Sequence, residues 1–387
     1  MPLITRTPRT AQLALFSIFV SFGLMCGLWA AAIPLLQTRL SLPNDMLGAS
    51  IFCFGLGAVL ATFVVPKYIA RHQTRPVMLV GGCVMWVFFI ASLNAPTVAL
   101  LMLLLAGVGF GCGILDTSMN SHAFTVEHHL GKPTLSKLHG GFSLGGVLGS
   151  GTVAWLIHQN FSVNGGILII AALAVWGLFY AKNLCYPTDL QPNDSTNAIT
   201  TTARVPRALI VVAVLTAITF FSEGSVSDWA GLFLRDEKSA SATQTALSYG
   251  AFATGMTIAR FLGDGMRARF ATMPFLYVSS AFACLMMTVF VLSPYPTLAL
   301  IALLGAGLGY ANVVPLLFVR AANIDGISSA RGVAFAAGLG YASLLGGPAL
   351  LGYIAEHAGH HASFMLVVLG SLLIVFESRS HIHKKQA

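Results

Sequence analysis

Twelve apolar stretches, most about twenty residues long and parted by short polar breaks, dominate this 387-residue chain. They run at 11–36, 47–69, 76–94, 97–120, 139–158 and 163–183, then at 207–234, 246–265, 273–292, 297–319, 332–354 and 362–378. A helix needs about 20 apolar residues to cross ~30 Å of hydrocarbon, and in lipid every backbone N–H and C=O must be bonded internally. The expected fold is therefore all-α, a polytopic membrane protein of about twelve transmembrane helices. Only 9% of the residues are charged, against about 25% in soluble domains, too few to coat a water-exposed surface. The first run exceeds the apolar core of a cleavable signal and ends on no small-residue cleavage site, so it is expected to be a span.

The basic residues orient the spans. With a cytoplasmic N-terminus, all of the 21 lysines and arginines except Arg39, Arg235 and Lys238 fall in inner segments. That asymmetry fits an even number of spans, both termini cytoplasmic and a bacterial inner (plasma) membrane. The net charge of +8 is scattered singly between apolar runs, so no phosphate backbone could follow it and no nucleic-acid partner is expected. Five of the six cysteines lie inside apolar runs and none forms a CxxC pair, which points to packing rather than disulfides or zinc. His122, His128, His129, Glu127, His357, His360 and His361 match no HExxH or finger spacing, so no metal is expected. Gly107, Gly109, Gly111 and Gly113 lie within an apolar span with no strand before them. They fit close helix packing and not a nucleotide loop, so no cofactor is expected.

The longest polar stretch, 184–206, is rich in Pro, Asn, Ser and Thr and follows the sixth span. It divides the chain into an N-terminal half, 1–183, and a C-terminal half, 207–387, joined by a cytoplasmic linker. A shift of 200 residues lays LLLAGVGFG at 103–111 on LLGAGLGYA at 303–311, Phe52 and Gly55 on Phe252 and Gly255, and Trp29 on Trp229. Two parallel six-helix halves related by an axis along the membrane normal are how large transporters place a solute site at the midplane.

Twelve spans, a central linker and two matching halves resemble the major facilitator superfamily. Its G-x-x-x-D-R-x-G-R-R type loop between spans 2 and 3 has a degenerate counterpart in PKYIARHQTRP, Pro66 to Pro76, which keeps Arg71 and Arg75. Pro66, Ala70 and Gln73 stand where Gly, Asp and the second Gly are expected. The echo between spans 8 and 9, GDGMRARF from Gly263, keeps Asp264, Arg267 and Arg269. Gly107–Ser121, Leu135–Gly149, Ser222 onward and Gly307 onward look most like the fucose–proton symporter group and its uncharacterised relatives. The resemblance implies a secondary transporter, proton-coupled and sugar-like in its solute, working as a monomer by alternating access. It places Asp116 at the group's coupling acid of span 4, whereas the group's acid in span 1 has no counterpart.

Charges near a bilayer centre cost about 2.5–3.5 kcal/mol each, so those present face a cavity or a partner. Asp116, Glu223 and Asp228 lie within spans, with Asn120 one turn from Asp116 on the same face. A carboxylate withdrawn from water can exchange protons near neutral pH, as proton coupling requires. Each acid could instead be paired with an arginine or cap a broken helix. Glu223 and Asp228 are about 140° apart on a helix, so both should not point straight at one cavity. Arg260 is the expected buried cation, or else reaches the interface with its stem. His139, which opens span 5, is expected to gate or bind. Asn312 precedes Pro315 and interrupts span 10. Trp29 and Trp229 could stack on a sugar ring or serve as interface anchors. The partners expected are a small-molecule solute, protons and the lipid bilayer. Efflux of a drug or metabolite, or solute sensing without transport, are the rival functions. No catalytic set is visible, so the chain is not expected to be an enzyme.

Overall fold

The computed structural model describes residues 7–131, 134–185 and 205–384. Arg6, Lys132, Arg204, Lys385 and positions 186–204 of the expected linker lie outside the described residues. The first set of helices comprises α1 (Pro8–Leu40), α2 (Asn44–His72), α3 (Thr74–Leu93), α4 (Val98–Leu130), α5 (Leu135–His158) and α6 (Val163–Leu184). The second comprises α7 (Arg207–Lys238), short α8 (Ala242–Ala246), α9 (Ser248–Arg269), α10 (Thr272–Leu292), α11 (Pro296–Tyr310), α12 (Val313–Ala322) and α13 (Ser329–Lys384). No strand occurs among the described residues.

Ten of these stretches are long and apolar enough to cross a membrane. One of them, Ser329–Ser380, holds two crossings, because Gly359 (φ 83°, ψ 161°) breaks α13. A residue with a side chain would be strained in that conformation. The more polar α9, which carries Arg260 and Arg269, supplies the twelfth crossing. The expected break in span 10 falls at Asn312, between α11 and α12. Pro315 then lies in the first turn of α12, where a missing N–H has no intrahelical partner to lose. Twelve crossings put the start of α1 and the end of α13 on one side of the bundle; the opposite end is called distal below. Leu168, Ile169, Leu173 and Trp176 of α6 are exposed on the periphery, as lipid contact requires.

The repeat is present, but its register is 198 residues, not 200. A Cβ on Gly57 would fall on the Ala106 carbonyl and one on Gly109 on the Phe54 carbonyl, so α2 and α4 cross backbone to backbone. Gly255 meets Leu304, and Gly307 meets Phe252, in the same way where α9 crosses α11. Each of these four residues lies 198 positions after its counterpart. The distal caps of α1 and α7 obey the same register, Ser41 and Ser239 being left-handed at φ 49° and 50°. The 200 shift matched Gly-rich strings, and glycines at every second position match at either spacing. Under the structural register Trp29 corresponds to Ser227, and the two tryptophans are not equivalent.

The two sets of helices meet where α5 packs on α9, α2 on α13 and α1 on α7. At the distal end Arg235 Nη2 donates to Gln37 Oε1 at 2.6 Å, and the Asn44 backbone N–H donates to Glu356 Oε2 at 2.8 Å. Gly48 and Gly352 bring α2 and α13 into backbone contact, and the Gly250 N–H donates to Ser150 Oγ at 3.0 Å. Arg260 makes the deepest of these contacts, donating to Ser143 Oγ at 2.6 Å. Nearer the chain ends, Phe335 and Tyr341 of α13 are exposed. The distal end is thus closed by contacts between the two sets of helices.

Candidate functional site

The closure roofs a central space into which the intramembrane acids project, one helix at a time. Asp228 lies ten residues from the distal end of α7, about 15 Å along its axis, and Trp29 eleven from the distal end of α1, about 16 Å. The two therefore meet at one level across the halves, where the Trp29 indole N–H and the Ser227 hydroxyl are directed at the Asp228 carboxylate. Glu223 is one and a half turns nearer the termini on the same helix. Asp116, on α4, accepts from Asn120 Nδ2 at 3.0 Å, while the same amide also bonds the Asp116 carbonyl at 2.9 Å. The i, i+4 spacing that suggested this pair is what lets the amide reach both oxygens.

Two side chains of the space had no signal in the sequence beyond their lying in apolar runs. The Cys26 thiol of α1 is within electrostatic reach of both Asp228 and Asp116. Tyr249, in the first turn of α9, is 8% exposed and within reach of Cys26, Glu223, Asp228 and Arg260. Glu223 and Asp228, 140° apart by helix geometry, are thus both within electrostatic reach of the one tyrosine. Tyr341 of α13, stacked on Phe220, is within electrostatic reach of Asp116.

Arg260 is partly buried and does not form an ion pair with either acid of α7 among the described residues. Its guanidinium donates to Ser143 Oγ and, at 3.4 Å, to the carbonyl of His139, and Glu223 feels it at longer range. The cation thereby ties α9 to α5. The His139 ring packs edge-on against Phe19 of α1, with centroids 5.3 Å apart. Trp229 is fully buried in the distal closure, against Gly352 and 6.2 Å from the His360 ring. It offers no ring face to the central space, whereas Trp29 does border it. Asn312, 4% exposed, turns its amide oxygen onto Gly263 of α9 and so buttresses the second loop motif from within.

Of the motif residues, Arg71 and Arg269 are exposed. Arg75 Nε donates to the carbonyl of Lys182 at 2.9 Å, pinning α3 to the end of α6. The side chains of Asp264 and Arg267 lie outside the described residues. Gln73, which replaces the motif's second glycine, has φ 64° and ψ 170°, a region that favours glycine. The glycine-like turn is kept without the glycine.

The histidines near the loop after span 4 do not converge. His122 Nδ1 pairs with Thr74 Oγ1 at 2.9 Å and His129 Nδ1 with the Thr125 carbonyl at 2.8 Å. Glu127 instead accepts from the backbone N–H groups of Thr134 and Leu135, at 2.8 and 3.3 Å, and caps α5. No group of three potential metal ligands occurs among the described residues.

The sequence profile of the Major Facilitator Superfamily matches residues 13–335. An uncharacterised MFS-type transporter of Yersinia pestis is 28% identical over 308 residues, covering 79% of this chain and 78% of that protein. An uncharacterised transporter of Sinorhizobium fredii is 26% identical over 362 residues, covering 92% and 94%. Among solved structures, a mutant of the nucleoside transporter NupG superposes with a TM-score of 0.77 at 12% identity, covering 96% of this chain and 99% of that one. That last likeness is one of fold.

Proposed function

The chain belongs to the major facilitator superfamily, and from that premise we propose that this membrane transporter moves a hydroxyl-rich solute together with protons by alternating access. The observation that carries the reading is the set of three carboxylates, Asp116, Glu223 and Asp228, facing one space between the halves without an ion-pair partner among the described residues. Inside a bilayer an acid that lacks a cation is costly unless it takes a proton or a ligand. Asp116 is the proton carrier in this proposal. Its Asn120 partner holds the carboxyl in one orientation, and nothing else polar on α4 competes for it. Asp228 and Glu223 bind the solute, with Trp29 providing the aromatic surface that Trp229 does not.

The two domains of this reading are 1–183 and 207–387, which rock about the central site as one monomer. The positive-inside bias places the termini in the cytoplasm and the distal end in the periplasm of a bacterial inner membrane. The conformation described is then closed toward the periplasm. Arg71, Arg75, Asp264, Arg267 and Arg269 steady the cytoplasmic ends through the switch, while Arg260, His139 and Asn312 set the α5–α9 seam and its loop.

Solute-dependent proton movement in proteoliposomes tests the reading, with sugars, sugar acids and small amphipathic drugs as the panel. One class of solute should elicit a pH change, and Asp116→Asn should abolish it and lower accumulation at least tenfold while leaving counterflow exchange. Accumulation that survives in the variant sinks the coupling role. Binding without flux would make the protein a sensor.

A further inference from the structure

Three features of the upper part of the central space differ from what a sugar alone would call for. The two donors directed at Asp228, the Trp29 indole and the Ser227 hydroxyl, carry no charge that would neutralise it. Among the described residues the guanidinium nearest these acids, that of Arg260, is spent on Ser143 and the His139 carbonyl of α5. Within electrostatic reach of the acid stands Tyr249, more than nine-tenths buried. Its hydroxyl makes no hydrogen bond with any described residue, although a buried phenol ordinarily finds a partner.

A buried carboxylate flanked by an indole and a phenol and lacking a cation is the constellation that recognises an ammonium group. The carboxylate supplies the charge, and the aromatic rings attract the cation through their negative faces once water is excluded. We propose that Asp228, Trp29 and Tyr249 form the seat of an organic ammonium, so that the solute carries an amine besides its hydroxyls. The proposal rests on the reading of the central space as the solute site and narrows the class of solute. Trp29 belongs to one half and Asp228 and Tyr249 to the other, so an ammonium there contacts both halves at once. The unpartnered Tyr249 hydroxyl is left to a hydroxyl or an amine N–H of the same solute.

Thermal unfolding of the full-length protein in detergent, titrated with ethanolamine, choline and D-glucosamine, tests the seat. N-acetyl-D-glucosamine serves as the neutral twin of the last, and D-glucuronate as the anion. At least one ammonium should stabilise the protein saturably, and the neutral twin and the anion should not. Asp228→Asn should weaken that binding tenfold or more. Should this variant fail to fold, Trp29→Leu, which removes a donor and a ring face without touching the acid, should weaken it by a similar factor. Equal binding of the N-acetyl compound or of glucuronate overturns the proposal. So do undiminished binding by a folded variant and silence of all three ammonium compounds. Binding in detergent without proton movement in vesicles would sink the coupling reading and keep the seat; proton movement with neutral sugars alone would do the reverse.

Discussion

The crossing of α2 with α4 and that of α9 with α11 are one object built twice, with Gly57 and Gly109 in the first answered by Gly255 and Gly307 in the second. The charged groups are not built twice. Moved by the same 198 positions, Asp116 lands on Val314 and Asn120 on Phe318, while Glu223, Asp228 and Arg260 correspond to Met25, Ala30 and Thr62. The scaffold of the two halves is therefore symmetric and their chemistry is not. Backbone contact between helices tolerates no side chain at the crossing, so both copies keep glycine there. A cavity residue is constrained by its ligand, and a ligand lacks the two-fold axis of its carrier. The closed distal end falls between these extremes. Gln37 and Arg235 occupy the same position of the repeat, and they have diverged into an acceptor and a donor that bond each other across the axis.

If the crossings are equivalent, then damaging either should do equal harm. Gly109→Val and Gly307→Val each force a branched side chain into a carbonyl oxygen of the partner helix, the Phe54 and Phe252 carbonyls respectively. Overpacking costs about 1–3 kcal/mol and occasionally more, and neither backbone here can yield as a side chain would, so the upper end applies. Both variants should lower the unfolding temperature in detergent steeply and to a similar extent. One tolerated and one lethal would mean that the two halves pack by different rules.

The distal pair offers a second way to probe the axis. Arg235 also donates to the Pro34 carbonyl at 3.2 Å and to Thr38 Oγ1 at 3.3 Å, so one side chain bridges α7 to three groups of α1. Arg235→Gln should weaken the closure by about 1 kcal/mol, since the site is partly open to solvent and its charge is screened. A fivefold shift toward the distally open state would follow. A background variant Thr245→Cys, at a buried position of α8, can report it through labelling by an impermeant maleimide from the distal face. Labelling at an unchanged rate would show that Gly48 against Gly352, and not the polar pair, holds the end shut.

Much of the architecture was legible in the chain because each span must meet the bilayer by itself, and twenty apolar residues say so without reference to any neighbour. The break at Asn312 and the pairing of Asn120 with Asp116 were legible for the same reason, being set within four residues. The repeat was legible in existence but not in register, since G-x-G-x-G strings fit themselves at a spacing of two. Tyr249 was hidden because a tyrosine in an apolar run looks like any other packing residue, and only the fold brings α9 to α1 and α7. The role of Glu127 was hidden likewise, since its partners are the N–H groups of a helix that begins eight residues later.

The smallest effect comes from the one place where the two loop motifs can be compared on their backbones. Gln73 closes α2 at φ 64° and ψ 170°, whereas its counterpart Ala271 precedes α10 at φ −64° and ψ 143°. A side chain in the first conformation costs of order 1–3 kcal/mol, and glycine there would relieve it at an entropic cost of about 0.5–1 kcal/mol in the unfolded chain. Gln73→Gly should therefore stabilise the protein by about 1 kcal/mol, whereas Ala271→Gly should destabilise it by about 0.5–1 kcal/mol, because an ordinary backbone gains nothing from the change. Parallel unfolding curves of the two variants give the signs directly. Stabilisation by neither would mean that the first loop keeps its turn without strain, and that the missing glycine of the motif carries no cost in this transporter.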